Sequence, residues 1–74
     1  MNIADLIRDY LRMHPEGVFT RDVHKYCVSN GAVFQVADYH LQLKSVSGQL
    51  SKMRDHGEVN YEREGKGYRW FLLV

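Results

Sequence analysis

Apolar residues at Ile3, Leu6, Ile7, Tyr10 and Leu11 recur at i, i+3, i+4, i+7 and i+8, the stripe of an amphipathic helix. Asp5, Arg8, Asp9 and Arg12 lie off that stripe. Asn2 can cap its start by accepting an orphan backbone N–H, and Pro15 stops it while pushing His14 away from helical dihedrals. Gly17-Val18-Phe19 then reads as a short extended piece that delivers Thr20 as the next N-cap. Val23, Tyr26 and Cys27 mark one face of a second helix, closed by Asn30-Gly31, two residues that tolerate the left-handed conformation. A third apolar row, Leu43, Val46, Leu50 and Met53, ends at Gly57. Beyond it the period changes from helical to alternating: residues 59–63, the turn Glu64-Gly65-Lys66-Gly67, and residues 68–73. Gly65 and Gly67 both permit the positive φ that tight hairpins demand. The segment between the second and third rows, residues 32–41, has no single reading: Asp38 can cap an early third helix, or residues 33–36 can form a separate turn.

The last two units resemble the recognition helix and wing of winged helix-turn-helix proteins. The resemblance rests on the pair Val46-Ser47, then Leu50, Met53 and the helix-ending Gly57, then Val59 and a strand–glycine turn–strand. It covers nearly the whole chain once the two earlier helices are included. It implies an α+β fold, a single domain over residues 1–74, with three helices and a C-terminal two-stranded β-hairpin wing. It also implies a double-stranded DNA-binding transcription regulator of the size common among small phage and prophage proteins, reading the major groove with its third helix.

Composition sets bounds around that expectation. At 74 residues the chain has room for one small core, to which five Tyr, three Phe and one Trp bring large contacts. The single Cys cannot form an internal disulfide, which points to a reducing cytoplasm. There is no pattern of a secretory signal, and the longest apolar run, residues 70–74, is too short to span a bilayer. Net charge is only +1, but it is unevenly spread. Residues 1–39 carry four basic and five acidic side chains, residues 40–74 six and four. No acid stands between Asp38 and Asp55, where Lys44, Lys52 and Arg54 do. A nearly neutral protein can therefore hold a locally positive surface.

On a helical wheel the side opposite the third row presents Lys44, Gly48, Ser51 and Lys52, flanked by Ser45 and Ser47. Hydroxyls reach phosphates or base edges, lysines reach phosphates or guanine acceptors, and Gly48 lets the backbone approach closely. Glycine in a helix interior costs about 1 kcal/mol against Ala, a penalty that a merely solvated face has no reason to bear. Arg21 and Lys25 share an edge of the second helix and are further phosphate candidates. In the wing Arg63, Lys66 and Arg69 are candidates, though Glu62 and Glu64 among them would repel phosphate. Trp70, in an apolar strand, reads as a core anchor.

No catalytic signature or phosphate loop is present, so no enzyme activity, cofactor or small-molecule substrate is expected. His24 and Cys27 stand at i, i+3, but zinc would want more ligands than the chain supplies; a core Cys beside a surface His is the expectation. Asp5 and Asp9 have Arg8 and Arg12 for partners and read as surface charge pairs. A homodimer would raise affinity through paired half-sites. The competing expectation is a winged-helix adaptor or inhibitor that binds protein instead of DNA, using the apolar end from Phe71 to Val74. Single-stranded nucleic-acid binding comes third and requires displayed tyrosines.

Overall fold

The computed structural model describes residues 2–73. In chain order it contains α1 (Ile3–Met13), β1 (Val18–Phe19), α2 (Thr20–Ser29), α3 (Tyr39–Asp55), β2 (Val59–Glu64) and β3 (Gly67–Leu72). The fold is α+β: three helices and one antiparallel sheet in the order β1-β3-β2.

Local chemistry accounts for the helix ends. Asn2 Oδ1 accepts from the Ala4 N–H at 2.7 Å and opens α1. Asp38 Oδ1 accepts from the Leu41 N–H at 3.1 Å, which settles the start of α3 at Tyr39. Both later helices close in the same way. Past α2, Gly31 takes φ +87°, its N–H reaching Val28 O and that of Ala32 reaching Cys27 O. Past α3, Gly57 takes φ +76°, its N–H reaching Arg54 O and that of Glu58 reaching Met53 O. These paired bonds satisfy carbonyls that a helix end otherwise leaves orphaned.

The sheet has one strand more than the two-stranded wing expected from sequence. Val18 pairs with Trp70 and Phe19 with Arg69, so β3 is central. Two residues are too few for alternation to register, and only the buried Val18 needs this placement. Thr20 is also not the N-cap of α2: Phe19 occupies that position and makes no side-chain cap bond. The Thr20 hydroxyl instead accepts from the Trp70 indole N–H at 3.0 Å. An unpartnered buried donor costs about 1–3 kcal/mol, against about 1 kcal/mol for a lost cap, so the indole is the stronger claimant.

Ile7, Leu11, Val23, Cys27, Val46, Leu50, Met53, Val59 and Trp70 belong to one buried cluster shared by all three helices and the sheet. Each fully buried aliphatic side chain contributes roughly 1.5–3 kcal/mol. The ion pairs expected on α1 are formed, Arg8 to Asp5 at 2.9 Å and Arg12 to Asp9 at 3.1 Å. Arg8 Nη2 also reaches both carboxylate oxygens of Glu58 at 3.1 Å, tying α1 to the turn that leads into β2.

Residues 30–38 contain no helix or strand, yet they are anchored. Gln42 Nε2 donates to Val36 O at 2.8 Å. A carbonyl can only accept, so this bond orients the amide and turns Oε1 toward His24 Nε2, 2.8 Å away, which must then donate. His24 is thus buried, not the surface histidine expected, with Phe34 and Tyr39 against its ring. Its neighbour Cys27 is in the core as expected, and burial pushes its thiol up to about 11. Among the described residues no helix is long and apolar enough to cross a membrane.

Candidate nucleic-acid interface

The core side of α3 is sealed: Val46, Leu50 and Met53 are buried. On the other side Lys44, Ser45, Gly48, Ser51 and Lys52 are exposed, and Ser47 is half-buried at the margin. A Cβ built on Gly48 would meet nothing within 4 Å. No internal packing therefore explains the glycine. Ser45 Oγ donates back to Leu41 O at 3.2 Å, which leaves its lone pairs free to accept. Lys44 and Lys52 form no ion pair among the described residues. The last turn holds Lys52 and Arg54, where the helix dipole favours cations for stability alone. Asp55, seven residues beyond Gly48, closes the same face with an exposed carboxylate; Leu41, seven residues before it, opens the face with an exposed apolar side chain. Leu43, expected in the core row, is half-buried instead and lines a surface hollow with Phe19, Gly67 and Tyr68.

The β2–β3 hairpin sorts its charges by face. Partners across the β2–β3 ladder point to the same side, and the pairs are Tyr61 with Trp70, Arg63 with Tyr68, and Glu62 with Arg69. Trp70 is buried toward the helices, so Tyr61, Arg63 and Tyr68 share the inner face and Glu62, Glu64 and Arg69 the outer one. The turn between them is Gly65-Lys66, with φ +61° at Gly65; Gly67 needs no positive φ, contrary to expectation, because it already belongs to β3. Arg69 is withdrawn from the candidate contacts. Its Nη2 lies 3.1 Å from Glu62 Oε2 and its Nη1 donates to Glu16 O at 3.0 Å. Its Nε sits 3.4 Å from Glu64 Oε2, a charge contact without hydrogen-bond alignment. The two glutamates that counted against the wing are therefore partly neutralised and turned away from α3, while exposed Arg63 and Lys66 stay without an ion pair among the described residues.

Trp70, Tyr61 and Tyr68 form a ladder of rings, with centroids 5.0 Å apart for the first pair and 4.7 Å for the second. The Arg54 guanidinium lies over Tyr61 at 4.7 Å. Tyr68, at the end of the ladder, is 45% exposed. Beside it opens a hollow of about 400 Å³ lined by Phe19, Thr20, Arg21, Leu43, Gly67 and Tyr68. Arg21, at the start of α2, thus shares this hollow with residues of α3 and β3. Lys25 lies one turn on, in a second depression shared with Asp22 and Tyr39. Sequence reasoning missed Tyr68, Leu43 and Phe19 as surface-lining residues. Alternation carried back from Trp70 would have put Tyr68 on the inner face, but its exposure depends on where the core stops.

At the apolar end, Leu72 packs against the core and Leu73 is exposed; Val74 lies outside the described residues. The chain matches no protein-family model, no curated protein and no solved structure.

Proposed function

We propose that this chain is a winged-helix protein that binds double-stranded DNA in a sequence-specific way and acts as a transcription regulator. On this reading α3 lies in the major groove. The observation that carries it is the exposed row Lys44, Ser45, Gly48, Ser51 and Lys52, free of acids until Asp55 and with open space above Gly48. Small side chains let the helix backbone sit deep in a groove, hydroxyls reach base edges, and the lysines meet phosphates. Arg21 and Lys25 on α2, and Arg63 and Lys66 in the wing, add phosphate contacts on either side. Around four to six such contacts give log K against log salt a slope of roughly −4 to −5. A selection against random duplexes, followed by a salt titration on the selected site, tests this. A recovered consensus with that slope is the expected result; affinity indifferent to salt overturns it.

A second reading, a protein-binding adaptor, is favoured by a different observation. Val28, Val33, Tyr39 and Leu41 are all exposed around the α2–α3 connection, Val33 at 93%. Grouped apolar exposure of this kind marks partner surfaces. Failure of the duplex selection combined with capture of a defined protein through Val33 would favour that reading.

A further inference from the structure

Of the residues lining the hollow beside Tyr68, only Arg21 enters the duplex contacts proposed above. We propose that the hollow receives a single unpaired nucleobase, so that the protein prefers DNA with an extrahelical base over a fully paired duplex. The proposal rests on the nucleic-acid reading above and adds to it a ligand chemistry for a distinct site.

The walls suit a flat, aromatic, anionically tethered guest. Tyr68 on one side and Phe19 and Leu43 around it supply apolar surface, and every base offers a π-face to such a wall. Tyr68 is exposed but held, because Tyr61 meets it edge-on at 75° and is itself braced by Trp70 and Arg54. A pre-set ring loses little freedom on stacking. The opening exists because β1 stops after Phe19: beyond the pairs Val18–Trp70 and Phe19–Arg69, β3 has no neighbour on that side. Gly67 keeps the opening clear. Its backbone has no left-handed requirement, and a Cβ there would lie in ordinary contact with the Phe19 ring, 3.4 Å from Cδ1.

Charge favours a nucleotide over an apolar peptide side chain. Arg21 lines the hollow. Arg63 is the same-face partner of Tyr68. None of the lining residues is acidic. A base entering the hollow would carry its phosphates past these cations, which an uncharged side chain would leave unused. The hollow also shares α3 with the proposed reading face, so a base displaced from a bound duplex need not leave the protein surface.

The test compares a short blunt duplex with the same duplex carrying one bulged adenine, by fluorescence anisotropy at low salt. The bulged form is expected to bind more tightly by roughly five- to a hundredfold, the range of one base–aromatic stack. Tyr68→Ala and Gly67→Val should each remove that preference and leave blunt-duplex affinity nearly unchanged, whereas Tyr68→Phe should keep it. Circular dichroism verifies that the variants are folded. Equal binding of both duplexes by the parent chain overturns this proposal and leaves duplex recognition standing. A preference that survives in folded Tyr68→Ala overturns it as well. Binding of neither duplex sinks both readings and leaves the hollow to a protein side chain.

Discussion

Helices α1 and α3 are both amphipathic, and both carry charges on the side away from the core, yet the charges are used differently. On α1 they are spent internally: Arg8 bridges Asp5 and Glu58, and Arg12 holds Asp9. On α3, Lys44 and Lys52 stand among small polar residues and form no ion pair among the described residues, although Asp55 follows Lys52 by three positions. A charged helix surface therefore says little by itself. What distinguishes an available cation is that no ion pair holds it, and among the described residues Lys44 and Lys52 on α3 meet that condition, as do Arg21 and Lys25 on α2.

The largest effect expected separates the two sides of α3. Leu50→Ala should cost about 2–5 kcal/mol in urea unfolding, as deletion of a buried leucine does. Ser51→Ala, one residue on, should stay within about 0.5 kcal/mol. Comparable losses from both would mean that the outward face is also packed, and the contrast would be gone. Thr20→Val should cost about 1–3 kcal/mol, because it strands the Trp70 indole N–H in the core; a loss no larger than a few tenths would return Thr20 to a capping role.

Binding should show the contrast between helices directly. Ser47→Ala and Ser51→Ala should each cost on the order of 1–3 kcal/mol on a selected DNA site and much less on random duplex. Lys52→Glu should weaken both and make the salt slope shallower by about 1. Arg12→Glu on α1 should change neither. If Arg12→Glu weakens binding as much as Lys52→Glu, net charge is being measured and not a docked helix. A modest stability effect belongs to Arg8→Met, which removes the Glu58 link. Both side chains are about one-third exposed, so solvent screening limits the expected loss to about 1 kcal/mol or less, without change in DNA affinity.

Helix periods, the Asn2 cap and the stops were legible because each depends on residues within a turn or two of one another, as with Asn2 and Ala4 or Gly57 after Met53. The Asp38 cap was one of two open readings until its bond to Leu41 decided it. Contacts between distant residues were not legible. Thr20 looked like a cap because the rule is local, while its actual partner, Trp70, is 50 residues away. Residues 30–38 had no pattern because they are held by the amide of Gln42 and by His24, neither of which announces a partner. The segregation of charges on the β2–β3 hairpin was half legible. The alternation of Glu62, Arg63 and Glu64 is plain, but which side faces α3 follows only from pairing with buried Trp70. The outward face of α3 was the most readable part of the candidate site, since a wheel needs only the position of the core.

Cys27 turns the core into its own gauge. Its thiol has no accessible surface, and the raised pKa keeps it protonated at neutral pH. Alkylation needs the thiolate and an open path to it, so a reagent can label this residue only during excursions that part α2 from the rest of the cluster. The labelling rate therefore counts those excursions. It supplies a chemical clock for every variant above, one that can be read by mass shift in a crude mixture without purification or an optical signal.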